Sequence, residues 1–266
     1  MRSPLILGAE GQLGSELARL LPGAALHGVP IHDPGAIDAV FAHRRPDLVF
    51  NCAAYNAVDP AEREPAAAMA GNADGPGVLA AACRRYGATL VHFSTNFVFD
   101  GTLDRPYVEA DEPAPQSAYA RSKLLGERRV LESGAQSLVI RTAALYGRRT
   151  GFPARIERRA READRIEVVS DQRINPTFAK DLAHAAIQLV ERETLGIVHA
   201  VGEGCCGWDE FARAVLAELG LPNEVVSVKT GDFPAPATRP RNGCLGSTRI
   251  APLRPWREAL HEALNP

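Results

Sequence analysis

Short apolar runs alternate along this chain with amphipathic stretches of ten residues or more, and that alternation constrains the fold more than any other feature. Leu5-Ile6-Leu7 precedes Gln12 to Leu21. Leu48-Val49-Phe50 precedes Ala66 to Tyr86, Thr89 to Phe93 precedes Tyr119 to Leu131, and Ser137 to Ile140 follows. Strands that read as continuous apolar runs, separated by helical periods, form βαβ units around a parallel sheet. The prediction is a doubly wound, Rossmann-like α/β fold. Beyond Thr142 the pattern loosens. Helices are expected over 152–163, 179–191, 208–219 and 256–264, strands over 166–169 and 196–201, and a proline-rich stretch fills 233–240.

The 266 residues carry a formal charge of −2, and no block of five or six like charges occurs, so neither a nucleic acid nor an anionic membrane is an expected partner. With 45% apolar and 23% charged residues the composition is that of an ordinary globular chain. No run of 18 apolar residues exists, and the apolar start is broken by glycines and Glu10 rather than running on as a signal peptide; a cytoplasmic protein is expected. Cys52, Cys83, Cys205, Cys206 and Cys244 are odd in number and include no Cys-x-x-Cys pair. That pattern predicts reduced, mostly buried thiols, with neither a disulfide framework nor a metal site.

Gly8-Ala9-Glu10-Gly11-Gln12-Leu13-Gly14 follows the first apolar run and opens the first helix. Glycines at that turn bring backbone N–H groups close to a pyrophosphate, and the helix N-terminus adds positive potential. A dinucleotide cofactor is therefore expected in an N-terminal domain over 1–142, and a substrate-binding region over 143–266, some of whose elements return to the first sheet. The second strand should end with an acid for the ribose of NAD or a cation for the 2′-phosphate of NADP. Leu26-His27-Gly28-Val29-Pro30 has neither, so NAD and NADP both stay open.

Tyr119 and Lys123 lie four residues apart, on one face of a helix. Only three of the 30 Lys and Arg residues are lysines, which makes the match harder to meet by accident. A nearby ammonium is expected to lower the phenol's pKa and make Tyr119 a proton donor to a carbonyl oxygen. His92 to Gly101 closes another apolar run at the carboxyl end of a strand, where ligands sit in open α/β sheets. Ser94 and Thr95 should point to opposite sides there, one of them into the site.

With these residues in hand the chain resembles the extended short-chain dehydrogenase/reductases, and among them the dTDP-4-dehydrorhamnose reductase family, over nearly its whole length. The resemblance rests on Gly8-x-x-Gly11-Gln12-Leu13-Gly14, Asn51-Cys52-Ala53-Ala54-Tyr55-Asn56 with Asp59-x-Ala61-Glu62, Ser94 to Gly101, Tyr119-x-x-x-Lys123-Leu124-x-Gly126-Glu127, Arg141-Thr142, Asp171-Gln172, Pro176-Thr177 and Arg239-Pro240-x-Asn242. It implies NAD(P)H-dependent reduction of the 4-keto carbon of a nucleotide-linked 6-deoxy sugar. Tyr119 would be the proton donor, Lys123 its partner and ribose holder, and Thr95 the hydroxyl that orients the carbonyl. Gly8, Gly11, Gln12, Leu13, Gly14, Ala54, Tyr55, Asn56 and Phe93 would hold the cofactor with Tyr119 and Lys123. Thr95, Asn96, Tyr119 and Arg239 would meet the sugar nucleotide. A homodimer is a separate expectation.

Three positions depart from the family's pattern. Asn96 stands for an aspartate, Ala144 for a tryptophan found in some members, and Gly243-Cys244-Leu245-Gly246 for a Ser-x-Leu-Asp. These departures motivate two alternatives: an NAD(P)-binding regulatory subunit without turnover, and a reductase or epimerase of a different nucleotide sugar. Arg155, Arg158, Arg159, Arg161 and Arg165 form a cationic flank that meets either solvent or a diphosphate, while Trp208 and Trp256 are expected to pack the C-terminal lobe.

Overall fold

The computed structural model describes residues 3–148 and 150–265; Met1 and Arg2 of the apolar start lie outside them. The chain runs β1 (Pro4–Leu7), α1 (Gln12–Leu20), β2 (Ala25–His27), α2 (Pro34–Arg44), β3 (Leu48–Asn51), α3 (Pro65–Met69), α4 (Gly75–Tyr86), β4 (Thr89–Thr95), α5 (Ala118–Glu132) and β5 (Ser137–Thr142). It continues through β6 (Leu145–Tyr146), α6 (Phe152–Glu162), β7 (Arg165–Val169), β8 (Arg173–Ile174), β9 (Thr177–Phe178), α7 (Ala179–Glu191) and β10 (Gly196–His199). Then come β11 (Gly202–Glu203), β12 (Cys206–Gly207), α8 (Trp208–Glu218), β13 (Glu224–Val228), β14 (Leu253–Pro255) and α9 (Trp256–Leu264).

Six parallel strands form the main sheet in the order β10-β5-β4-β3-β1-β2. The chain winds outward in both directions from the β1/β3 junction, so the crevice at the carboxyl ends of those strands is the expected ligand site. Successive strand residues face opposite ways. Ile6, Phe50, Val91 and Ile140 pack under α1 and α7, while Leu5, Leu7, Val49 and Val139 pack under α2, α4 and the end of α5. The helix read over Ala66 to Tyr86 is broken: α3 and α4 are separated by a π-turn at Ala70–Asp74.

A second cluster, with Tyr146, Ile166, Phe178, Phe211 and Trp256, holds α6, α8 and α9 together. Trp208 packs against that cluster and its ring lies 4.6 Å from Phe152. The parallel pair β7–β13 stands beside it. Among the described residues no helix is long and apolar enough to cross a membrane.

The expectation of five reduced thiols is corrected at one pair. Cys205 and Cys244 form a disulfide with their Cα atoms 6.1 Å apart. The two are separated by 39 residues, so their spacing carried no signal; the fold brings the β11–β12 turn against the C-terminal segment. Cys52, Cys83 and Cys206 are free, and burial pushes the last two thiols up to about 12.

Candidate active site

A cavity of about 530 Å³ opens at the carboxyl ends of β1, β3 and β4. Its floor is the glycine turn, with Gly11, Gln12, Leu13 and Gly14 lining it. Gly8 has φ +75°, and a Cβ there would lie 2.6 Å from the Ala53 nitrogen. A Cβ on Gly14 would strike the Gly8 carbonyl oxygen. These two glycines let α1 start directly against β1 and β3, whereas a Cβ on Gly11 would meet only the Gly8 carbonyl oxygen, at 3.4 Å. The turn leaves the α1 N-terminus facing the cavity, without a side-chain cap on its N–H groups.

Ala54 and Asn56 line the same cavity with Phe93, Thr95, Asn96, Tyr119 and Lys123. Tyr55 differs from its neighbours. Its backbone N–H and carbonyl are both gripped by the buried Asn72 amide at 2.9 Å, and its phenol donates to Glu64 at 2.9 Å. Asn72, unremarked in the sequence, sits in the π-turn and also donates to Ser122, next to Lys123. A Cβ on Gly126 would strike the Asn72 carbonyl oxygen, so the motif glycine lets α5 press against that turn. Glu62 caps the same helix by accepting from Ala118 N–H at 2.7 Å, beside the Ser117 N-cap.

Tyr119 and Lys123 are both buried. The expected lowering of the tyrosine is corrected: burial pushes its phenol up to about 12, and the Thr95 hydroxyl works against that shift. Desolvation of the phenolate dominates, and the Lys123 ammonium donates to the Phe93 carbonyl at 2.6 Å. Burial pulls Lys123 down to about 8, and the charge of Glu127 works against that shift. Glu127, a residue of the matched motifs, is itself committed to Arg141 in a fully buried ion pair at 2.7 Å.

Thr95 accepts from the Phe97 N–H at 3.2 Å and donates to Asn96 Oδ1 at 3.3 Å. Its side chain caps the 3-10 turn that follows β4, and Ser94 and Thr95 are both among the residues that line the cavity, rather than one of them. Ser94, Thr142 and Asn51 line it too, and one side-chain oxygen of each is buried without a hydrogen-bond partner. Buried polar atoms are normally satisfied. The glycine cradle beneath the uncapped α1 N-terminus fits the pyrophosphate of a dinucleotide.

A second cavity of about 320 Å³ adjoins the first, sharing Asn96, Phe97, Ile174 and Trp208. Phe152, Phe233, Arg155, Arg159 and Arg239 line it. Arg239 is held bidentate by Asp59 at 2.7 and 3.0 Å. Of the cationic flank, Arg155 and Arg159 reach this cavity, while Arg161 pairs with Glu157 and Arg165 with Glu224 on the surface. Asn96 donates to the Gly243 carbonyl at 2.8 Å, and a side chain at 243 would collide with its amide.

Fold and site together define an extended short-chain dehydrogenase/reductase. The family model described as RmlD substrate binding domain matches residues 1–266, and the chain belongs to that family. A Mycobacterium tuberculosis dTDP-4-dehydrorhamnose reductase is 42% identical over 98% of this chain and 91% of its own. A Streptomyces antibioticus protein named as a probable dTDP-4,6-dihydroxy-2-methyloxan-3-one 4-ketoreductase is 43% identical over 97% and 93%. The crystal structure of a Bacillus anthracis dTDP-4-dehydrorhamnose reductase in complex with NADP superposes with a TM-score of 0.95 at 32% identity, covering 98% of both chains.

Proposed function

We propose that this chain is an NAD(P)H-dependent reductase of a nucleotide-linked 4-keto-6-deoxy sugar, with dTDP-4-dehydrorhamnose as substrate and dTDP-L-rhamnose as product. The observation that carries the reading is the convergence of Tyr119, Lys123 and Thr95 on one cavity whose floor is the glycine turn. Gly11 to Gly14 would hold NAD(P)H, which would supply the hydride. Thr95 orients the sugar carbonyl, and Tyr119 gives its oxygen the proton. A phenol kept protonated by its surroundings suits an acid in the reductive direction. Lys123 holds the ribose and keeps a positive charge one turn from the phenol.

The adjoining cavity suits the nucleoside diphosphate. Its aromatic walls take the base, and Arg239, with Arg155 beside it, faces the phosphates. Held by Asp59, Arg239 arrives already oriented, which supports the role given to it. The proposal includes the division into a cofactor half, 1–142, joined by α7 and β10, and a substrate half over the rest of 143–266. It extends to a homodimer, tested by light scattering, in the cytoplasm, where NAD(P)H and nucleotide sugars are made. The direct test is loss of NADH or NADPH absorbance with dTDP-4-dehydro-6-deoxy-L-mannose. Oxidation that persists in Tyr119→Phe overturns the roles, and binding of cofactor without oxidation overturns the substrate.

A further inference from the structure

The turn between β1 and α1 carries a carboxylate beside the end of β2. A Cβ built on Gly28, the first residue past β2, would lie 3.6 Å from Glu10 Oε1, and among the described residues no other heavy atom beyond its chain neighbours comes within 4 Å of it. In a doubly wound sheet the end of the second strand is where the adenosine ribose is recognised. An acid there accepts from the 2′-hydroxyl, and an arginine accommodates a 2′-phosphate. Here β2 brings no charge of its own, and no lysine or arginine occurs from residue 20 to residue 43. Arg44, which does reach β2, donates to His27 at 3.3 Å and borders a separate recess with Ser3, Pro4 and Gly23, at the N-terminal ends of the strands. Arg19, nearest on the other side in sequence, is paired with Glu16.

We propose that Glu10 selects the cofactor and makes this chain prefer NADH to NADPH. The acid that β2 lacks comes instead from the glycine turn. Its carboxylate accepts from the free ribose 2′-hydroxyl and meets a 2′-phosphate with like charge. Gly28, having no side chain, leaves the approach to that carboxylate open. The inference rests on the reductase reading only in that both put a dinucleotide along Gly11 to Gly14.

Calorimetric titration of the full chain with NADH and with NADPH, with no sugar present, tests it on wild type, Glu10→Gln and Glu10→Arg. The wild type is expected to bind NADH at least tenfold more tightly, Glu10→Gln to narrow that ratio below threefold, and Glu10→Arg to invert it. A wild type that binds NADPH equally or better, or a ratio that Glu10→Gln leaves unchanged, overturns the proposal. Turnover on the dTDP sugar is measured separately. NADH preference with no turnover supports Glu10's role while overturning the substrate, and no binding of either dinucleotide overturns both readings.

Discussion

The larger cavity is walled by turns that leave β1, β3 and β4 within a few residues of their strands, whereas the smaller is walled by α6, α8 and a segment arriving from far along the chain. The first is shaped chiefly by backbone. Gly8 and Gly14 work by having no Cβ, and the unpartnered Ser94 and Asn51 oxygens are fixed by where their strands end. The second depends on side chains joining distant residues: Asp59 holds Arg239 across 180 positions, and Asn96 holds Gly243 across 147. Chemistry common to many substrates fits the rigid half, and the choice of substrate fits the half assembled from separable contacts.

Several experiments press on that contrast. The largest effect is expected from Tyr119→Phe, with kcat/KM falling about 10²- to 10⁴-fold while cofactor affinity holds in calorimetry. In the wild type the pH profile should be flat to about pH 7 and fall above about pH 8, as Lys123 loses its proton. Tyr119, at about 12, keeps its own proton throughout. A profile level to pH 9.5 would remove Lys123's charge from the mechanism. Next in size, Glu127→Gln strands the Arg141 charge in the core; urea unfolding should show a loss of about 3–5 kcal/mol. The cost there falls on the rigid half, and an unchanged midpoint would deny that the pair supports it.

Asn96→Asp sharpens the seam between the two cavities. The carboxylate cannot donate to the Gly243 carbonyl, and a lost buried hydrogen bond costs about 1–3 kcal/mol. KM for the sugar nucleotide is expected to rise about tenfold, with NADH affinity unmoved; a change in cofactor affinity instead would merge the two regions functionally. The smallest effect is a count. Thiol titration of the unreduced, denatured protein should find three reactive cysteines, rising to five after reduction.

The parallel sheet, the glycine turn and the Tyr119–Lys123 face were legible because each is a matter of short spacing. Period, turn chemistry and i,i+4 adjacency are local properties. Glu62, Asp59, Gly126 and Glu127 were visible as parts of a resemblance, but their jobs were not, since each acts on a residue far away in the chain. The break at Ala70–Asp74 escaped periodicity because Asn72 turns inward to serve Tyr55 and Ser122 rather than its own helix.

By itself the sequence determined the fold class, the order along the chain of the main-sheet strands, and which residues stand at their ends, since alternation of apolar runs and turn residues dictates those directly. Only the tertiary structure decided the protonation of Tyr119, the pairing of Cys205 with Cys244, the anchoring of Arg239 by Asp59 and the approach of Glu10 to Gly28. The reason is physical: desolvation and long-range contact depend on what surrounds a group in space, and a linear pattern encodes that only through the finished packing.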